Sequence, residues 1–459
     1  MKIAFVVHQY PPRYHTGTEI YAHRLALLLR GRGHDVKVFT HEPDPERSTL
    51  LKLFDEPVDE VPVRRLVFQD AVVPNHALHD YYDVFLGKLF GRWLDEERPD
   101  VVHVFHLMGL GLSAIEECRA RGIPVHVQLM DFWFLCPTVQ LLRHDGSLCD
   151  GPELNACIDC LSQDNFGYQD LRLFSGHEGF VEVPPPERRL FDVSTPSRLH
   201  RRTALAGRTA FVRDVLAGAS ALVAPSRFLM GLFLRHGYRE EHMIHVPYGV
   251  DPPPGPLDEV PVGGEGTVTF GFFGSVNPQK GLEVLVSAFR DMVAPTARLV
   301  VRGNMTHFPK YARRVRLFAE LDPRINFQGP FPHGRQFEAL NQIDVLVVPS
   351  VWYENTPFVV LEAFAARRPV VSSDLGGMTE LVEDGVNGQT FRTGDPGALG
   401  DVLRSFVDDP GLLGTLAAGI GPVRTLADNA DEFLALWEHG PARGTPAVSP
   451  SPENGSADG

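Results

Sequence analysis

Short runs rich in Val, Ile and Phe recur along this chain, and each is followed by a longer stretch with the apolar spacing of an amphipathic helix. That alternation belongs to parallel strands joined by crossover helices, so the predicted fold class is α/β. In the first half the predicted strands span 2 to 7, 35 to 39, 63 to 68, 101 to 105, 124 to 129 and 220 to 224. In the second half they span 267 to 273, 298 to 302, 325 to 328, 344 to 348, 369 to 372 and 389 to 391. Two such series in 459 residues exceed one hydrophobic core and predict two domains. Between them, Pro252, Pro253, Pro254 and Pro256 forbid a continued helix or central strand. The expected division is 1–248 as a first domain, 249–265 as a hinge linker, 266–425 as a second domain and 426–439 as a helix returning to the first. Residues 440–459, rich in Pro, Ser, Gly and Ala, hold too few apolar groups to repay ordering and read as a disordered tail. Ligands of open α/β sheets bind outside the carboxyl ends of the strands, which puts the expected site in a cleft between the domains.

The sharpest constellation is the run Val345-Leu346-Val347-Val348-Pro349, read as a strand, with a loop carrying Glu354 and Asn355 and then Thr356-Pro357-Phe358. Thr356 and Pro357 read as N-cap and first helical residue, with Glu362 between one and two turns further on. A helix start offers free N–H groups and a positive dipole end to a diphosphate. Two carboxylates beside it suit sugar hydroxyls, which donate hydrogen bonds to them. Upstream, Phe273-Gly274-Ser275 leads through a loop to Lys280-Gly281. Gly274 permits close backbone approach, and Lys280 supplies a point charge for phosphate. Arg302 ends the next predicted strand.

Glu354 and Glu362 resemble the E-x7-E signature of family 4 glycosyltransferases, and Gly274 to Lys280 resembles the phosphate loop of that family, with Ser275 where the family has Arg. Gly17, in Thr16-Gly17-Thr18-Glu19, is similar to the family's G-G-x-E start, with Thr16 in place of the first glycine. The resemblance runs over roughly residues 1 to 425 and is strongest from 243 to 396. It implies two Rossmann-like domains facing a central cleft (GT-B), and retaining transfer of a sugar from a nucleotide diphosphate donor such as a UDP- or GDP-sugar. By it, Glu354 touches the donor sugar and Glu362 the ribose. Gly17, Gly274, Ser275, Lys280, Asn355, Thr356, Pro357 and Phe358 then surround the donor, and Arg302 replaces the missing cation.

At the fifth predicted strand, Asp131-Phe132-Trp133-Phe134-Leu135-Cys136-Pro137 resembles the H-D-x-W-x-x-C-P pattern of one branch of the family, whose histidine is Met130 here. His106 or His103, near the preceding strand end, is the substitute, and His106 joins Asp131 and Glu354 as a catalytic candidate. Asp131 would accept the acceptor's proton, although a front-face mechanism relies mainly on the donor's own phosphate oxygen; its other reading is a cap on the following segment. Met130 and Ser275 also motivate a rival reading, a glycosyltransferase-like protein that binds a sugar nucleotide or partners an active enzyme without catalysing. An epimerase on the same architecture finds no motif here.

Cys136, Cys149, Cys157 and Cys160 fall in one insert, about 131–165, among Gly, Pro and Asp. In a reducing compartment this spacing suggests a structural Zn site, with free thiols or a transient disulfide as alternatives. No cofactor is expected for catalysis, since a convincing D-x-D pair near a strand end is absent. Residues 161–200 lack periodicity and read as an acceptor loop. The formal net charge of −15 argues against nucleic acid as a partner. Arg313, Arg314 and Arg316 read first as a solvated helix face and second as a face toward a lipid-linked acceptor at a membrane. The start, Met1-Lys2-Ile3-Ala4-Phe5, reads as a strand rather than a signal peptide, which predicts a cytoplasmic protein, at most against the inner face of the membrane. The acceptor expected is a glycan, a lipid-linked sugar or a small metabolite.

Overall fold

The computed structural model describes residues 1–43, 51–68, 76–162, 198–255, 266–332 and 334–440. The first half forms strands β1 (Lys2–Val7), β2 (Asp35–Pro43), β3 (Leu51–Val58), β4 (Val61–Phe68), β5 (Val101–Val104), β6 (Val125–Gln128), β7 (Ala221–Ala224) and β8 (Met243–His245). They make one sheet in the order β3-β4-β2-β1-β5-β6-β7-β8, in which only the β3–β4 pair is antiparallel. The second half forms β9 (Val268–Phe273), β10 (Ala297–Arg302), β11 (Ile325–Phe327), β12 (Val345–Val348), β13 (Val370–Ser373) and β14 (Gly388–Phe391). Its order is β11-β10-β9-β12-β13-β14, parallel throughout. In each sheet the order reverses beside the first strand, between β1 and β5 and between β9 and β12, and such a switch point opens a crevice at the carboxyl ends.

Both faces of these sheets are covered, as parallel sheets require. Along β1, Ala4 and Val6 join one core with Phe90, Trp93, Trp133 and Leu216, while Ile3, Phe5 and Val7 join another with Leu25, Leu29 and Trp437. The period of two in the strand thus feeds two separate layers. The second layer is completed by the helix Leu426–His439, whose Phe433 and Trp437 rings lie 4.8 and 5.4 Å from the ring of His103. The end of the described chain therefore packs on the first domain. It arrives there beside the outgoing connection: the Val250 N–H donates to Arg424 O at 3.0 Å, and the Leu426 N–H to Val250 O at 3.2 Å. Gly249 allows this approach, since a Cβ there would stand 1.9 Å from Thr425 O.

Beneath the loop after β1 lies a buried ion network. Arg65 of β4 is 2% exposed and pairs with Glu42, itself 0% exposed, and with Glu56. The same guanidinium donates to Tyr10 O at 3.4 Å and to Pro11 O. The chain between β1 and the first helix, Gly17–Gly31, is thereby tied to β4.

Sequence reasoning omitted β3 and β8. The first is an edge strand with exposed Lys52 and a run of partly exposed residues, and the second has three residues. The basic triplet lies on the helix Pro309–Ala319, which buries Tyr311, Val315 and Phe318, while Arg316 pairs with Glu320 in solvent. Among the described residues no helix is long and apolar enough to cross a membrane. The expected hinge is described only as far as Gly255; the acceptor loop is described only at its two ends, and the tail only at Gly440.

Candidate active site

The carboxyl ends of β1, β9 and β10 face the helix Phe358–Ala365 across a cavity of about 570 Å³. Its wall includes Gly17 and Arg24 of the first helix, Gly274 and Ser275 after β9, Arg302 at the end of β10, and Phe358 and Glu362. This volume is in the range that encloses a nucleotide-sized molecule. The first helix opens with a capping box, in which the Thr16 N–H donates to Glu19 Oε2 at 2.9 Å. Gly17 packs closely on the opposite wall, where a Cβ would stand 3.1 Å from the Phe358 ring and the ring would have to give. Of the residues expected at the donor, Gly17, Gly274, Ser275, Arg302, Phe358 and Glu362 share this one cavity. Arg302 Nη2 donates to Gln342 Oε1 at 2.8 Å.

Lys280 and Glu354 lie apart from that wall, in a cluster of their own. Glu354 is 6% exposed, and its Oε1 accepts from Lys280 Nζ at 2.6 Å, Ser350 Oγ at 2.7 Å and Trp352 Nε1 at 2.8 Å. Burial alone would raise its pKa, but the Lys280 charge and the three donated bonds hold it below the usual carboxylate range. Glu354 is therefore an ionised acid kept in one orientation, and the Lys280 charge is engaged with it. Gly281, at φ +65°, turns the chain after Lys280, and a Cβ there would stand 1.9 Å from Pro349 O.

The helix begins at Phe358 with Pro357 as N-cap, one residue later than the spacing predicts, and Thr356 makes no cap bond. Asn355 does not face the cavity. Its amide nitrogen donates to Leu129 O at 3.3 Å and Met130 O at 3.2 Å, and its oxygen accepts from Ser226 at 2.7 Å. It joins the two domains. Glu380 does the same by accepting the Arg227 N–H at 2.9 Å, together with that of Phe228, at the start of the helix Arg227–Arg235.

Burial pushes the Glu362 carboxyl up to about 7, opposed by Arg24 and reinforced by Asp251. Arg24 lies 3.3 Å from Asp251 and 3.9 Å from Glu362. If the ionised form accepts from a ligand hydroxyl, affinity rises as pH climbs through 7, because the competent fraction grows. The apparent KM for donor is expected to fall by roughly tenfold from pH 6 to pH 8. Glu362→Gln should flatten that dependence, and a slope that persists in the variant would remove Glu362 as its source.

His106 and Asp131 meet, with Nε2 3.2 Å from Oδ1 and 3.0 Å from Oδ2. Burial opposes charge on the ring, but Asp131 prevails and raises its pKa above the ordinary value. The Met108 N–H, 3.1 Å from Nδ1, needs a lone pair there, so the arrangement shown is the neutral ring with its proton on Nε2 facing Asp131. Asp131 also accepts the Trp133 N–H at 2.8 Å, so the carboxylate that faces His106 is a turn cap as well. His103 is corrected: it is 0% exposed beneath the C-terminal helix, bonded to Gln128 at 3.1 Å, with burial driving its pKa down to about 3. It has no access to the cleft. Met130 is packed under Tyr248, whose hydroxyl lies 3.1 Å from Sδ.

Sequence reasoning missed His8 and Glu19. The His8 ring lies 4.2 Å from that of His106 and its Nε2 3.5 Å from Glu19 Oε1, while burial and His106 keep its pKa well below the ordinary value. The available signal was position, for His8 directly follows β1 and Glu19 falls in the first turn of the helix after it.

The four insert cysteines line one small cavity, but among the described residues no three His, Cys, Asp or Glu side chains stand in metal-holding geometry.

The family described as "Glycosyl transferases group 1" matches residues 267–409, and "Glycosyl transferase 4-like domain" matches residues 16–156. The D-inositol 3-phosphate glycosyltransferase of Xylanimonas cellulosilytica is 32% identical over 232 residues, covering 46% of this chain and 54% of that protein. The alpha-D-kanosaminyltransferase of Streptomyces kanamyceticus is 26% identical over 157 residues, covering 33% and 39%. The chain thus spans about half the length, or less, of the curated relatives it matches. Among solved structures, Anabaena HepE in complex with UDP superposes with a TM-score of 0.61 at 17% identity, covering 95% of this chain and all of that one. Sucrose-phosphate synthase of Thermosynechococcus elongatus superposes with a TM-score of 0.60 at 16% identity, covering 95% and 98%. These two share the arrangement of two α/β domains about a cleft.

Proposed function

This chain belongs to the group 1 glycosyl transferases and has the GT-B fold, and on that premise we propose that it moves a sugar from a nucleoside diphosphate sugar to an acceptor hydroxyl with retention of configuration. The observation that carries this reading is Glu354, a buried acid kept ionised by Lys280, close in sequence to a helix start that borders a nucleotide-sized cavity. In this reading Gly274, Ser275 and Arg302 bind the diphosphate, Glu362 the ribose and Glu354 a donor-sugar hydroxyl. Fixed dipoles and Arg302 stabilise charge developing on the leaving phosphate, with no metal required. Asp131 and His106 face the acceptor, while the donor phosphate oxygen takes its proton.

The acceptor is a glycan, a lipid-linked sugar or a small metabolite; the relative named for D-inositol 3-phosphate supports the last class. The protein acts in the cytoplasm, against the inner face of the membrane when the acceptor is lipid-linked. Met130 and Ser275 support a second reading, a non-catalytic member that binds sugar nucleotides or partners an active enzyme.

Purified protein incubated with UDP-, GDP- and ADP-sugars, followed by thermal stabilisation and slow donor hydrolysis, separates the two. One donor is expected to stabilise the chain and to be hydrolysed, insensitively to chelator, with both effects lost in Glu362→Ala. Binding without turnover, persisting across an acceptor panel, would favour the non-catalytic reading. No binding to any sugar nucleotide would sink both.

A further inference from the structure

We propose that Cys136, Cys149, Cys157 and Cys160 bind one zinc ion as a structural tetrathiolate site. The four residues are brought together by three different pieces of backbone. Cys136 ends the turn after β6, its N–H donating to Phe132 O at 2.7 Å. Cys149 closes a tight return marked by the Leu142–Leu148 bridge, with its N–H donating to Leu141 O at 2.8 Å. Cys157 and Cys160 lie three apart on the helix Leu154–Ser162, on one face. All four line a single cavity of about 10 Å³. That is the room of one ion or one water, far too small for a substrate.

Cys149 Sγ donates to Gly151 O at 3.1 Å, and Cys136 Sγ lies 3.3 Å from Thr138 Oγ1. Both are weak sulfur contacts, which the much stronger metal–thiolate bonds of a bound ion would replace. On binding, four S–H bonds lose their protons to solvent and four Zn–S bonds form, with no change of oxidation state. The resulting site carries a net charge of −2 by this count, and Arg143, on the same cavity wall, offsets part of it.

A cross-link here meets a structural need. A helix of nine residues is marginal by itself in water, and among the described residues after Cys136 the insert's large buried aliphatic side chains are Leu141, Leu142 and Ile158. The insert also bears on the cleft. Gln140 Oε1 accepts from Gln279 Nε2 at 3.1 Å, next to Lys280, and the turn ending at Cys136 carries Asp131 and Trp133. A closed four-sulfur site has no open position, so its ion would hold this wall rather than take part in chemistry.

The test uses the full chain expressed in zinc-supplemented medium. Elemental analysis is expected to find one zinc per chain, and Co²⁺-exchanged protein should show thiolate charge-transfer bands with tetrahedral d–d bands. Cys157→Ser and Cys160→Ser should each lower bound zinc at least tenfold. Cys118→Ser, at a buried cysteine outside the insert, should retain it. Should the insert variants fail to fold, the wild-type chain decides alone. Zinc-free wild-type protein overturns the site, whether unfolding releases all five reactive thiols or fewer, the latter marking disulfide pairing.

Discussion

Replacing Glu354 by glutamine is expected to lower kcat by about 10²- to 10³-fold while leaving the melting temperature nearly unchanged. The amide keeps the shape and can still accept from Ser350 and Trp352, so the packing around it survives. What it loses is a negative charge that Lys280, at 2.6 Å, holds in one place. Lys280→Met should cost a comparable factor by itself and little more in the Glu354→Gln background, because the two side chains act as one unit. Because its pKa lies below the usual carboxylate range, Glu354 stays ionised from neutral pH down through pH 5, so it adds no acid limb to kcat there. An acid dependence near pH 7 belongs to Glu362. A folded Glu354→Gln variant with wild-type kcat would dismiss this residue from the reaction.

Arg65→Met is expected to be a strongly damaging single change to stability, by about 3 kcal/mol, because it leaves Glu42, at 0% exposure, with only the half-exposed Arg13 at 3.4 Å as counterion. Urea unfolding should show a lowered midpoint at unchanged slope. The double variant Arg65→Met with Glu42→Leu should recover much of the loss, since removing both charges also removes their desolvation. A drop below about 1 kcal/mol in the single variant would mean that Arg13 or water compensates Glu42. The cost reaches the cleft as well, since Arg65 also holds Tyr10 O and Pro11 O in the loop that leads to Gly17.

Strand positions were legible because buried parallel strands are short continuous runs rich in Val, Ile and Phe that alternate with longer helical stretches. β3 was not, because an edge strand paired on one side owes its existence to β4 and carries no apolar pattern of its own. Glu354 and Glu362 were legible from spacing within one segment. The partnership of Glu354 with Lys280, 74 residues upstream, was not, and it changes the role of the lysine from a free phosphate cation to the counterion of an acid. Asn355 shows the same limit: Phe358, three residues on, lines the donor cavity, but the Asn355 amide reaches the backbone of Leu129 and Met130 in the other domain. His103 and His106, three apart around the end of β5, differ in that one packs against the C-terminal helix and the other faces Asp131. Spacing gave no way to choose between them.

The chain passes between the two domains twice, outward at Val250 and back at Thr425, and the two passages lie one hydrogen bond apart. Attached along so short a line, the halves keep essentially one rotational degree of freedom, about that line, and sliding past one another is suppressed. Such a body works as a lever: a small angle at the pivot is magnified with distance from it. Contacts such as Asn355 with Met130 and Glu380 with the helix start at Arg227 therefore set the opening angle with more torque per bond than any contact at the passages themselves. The same geometry gives the C-terminal helix a mechanical part to play, since clamping Phe433 and Trp437 onto the first domain fixes one end of the axle.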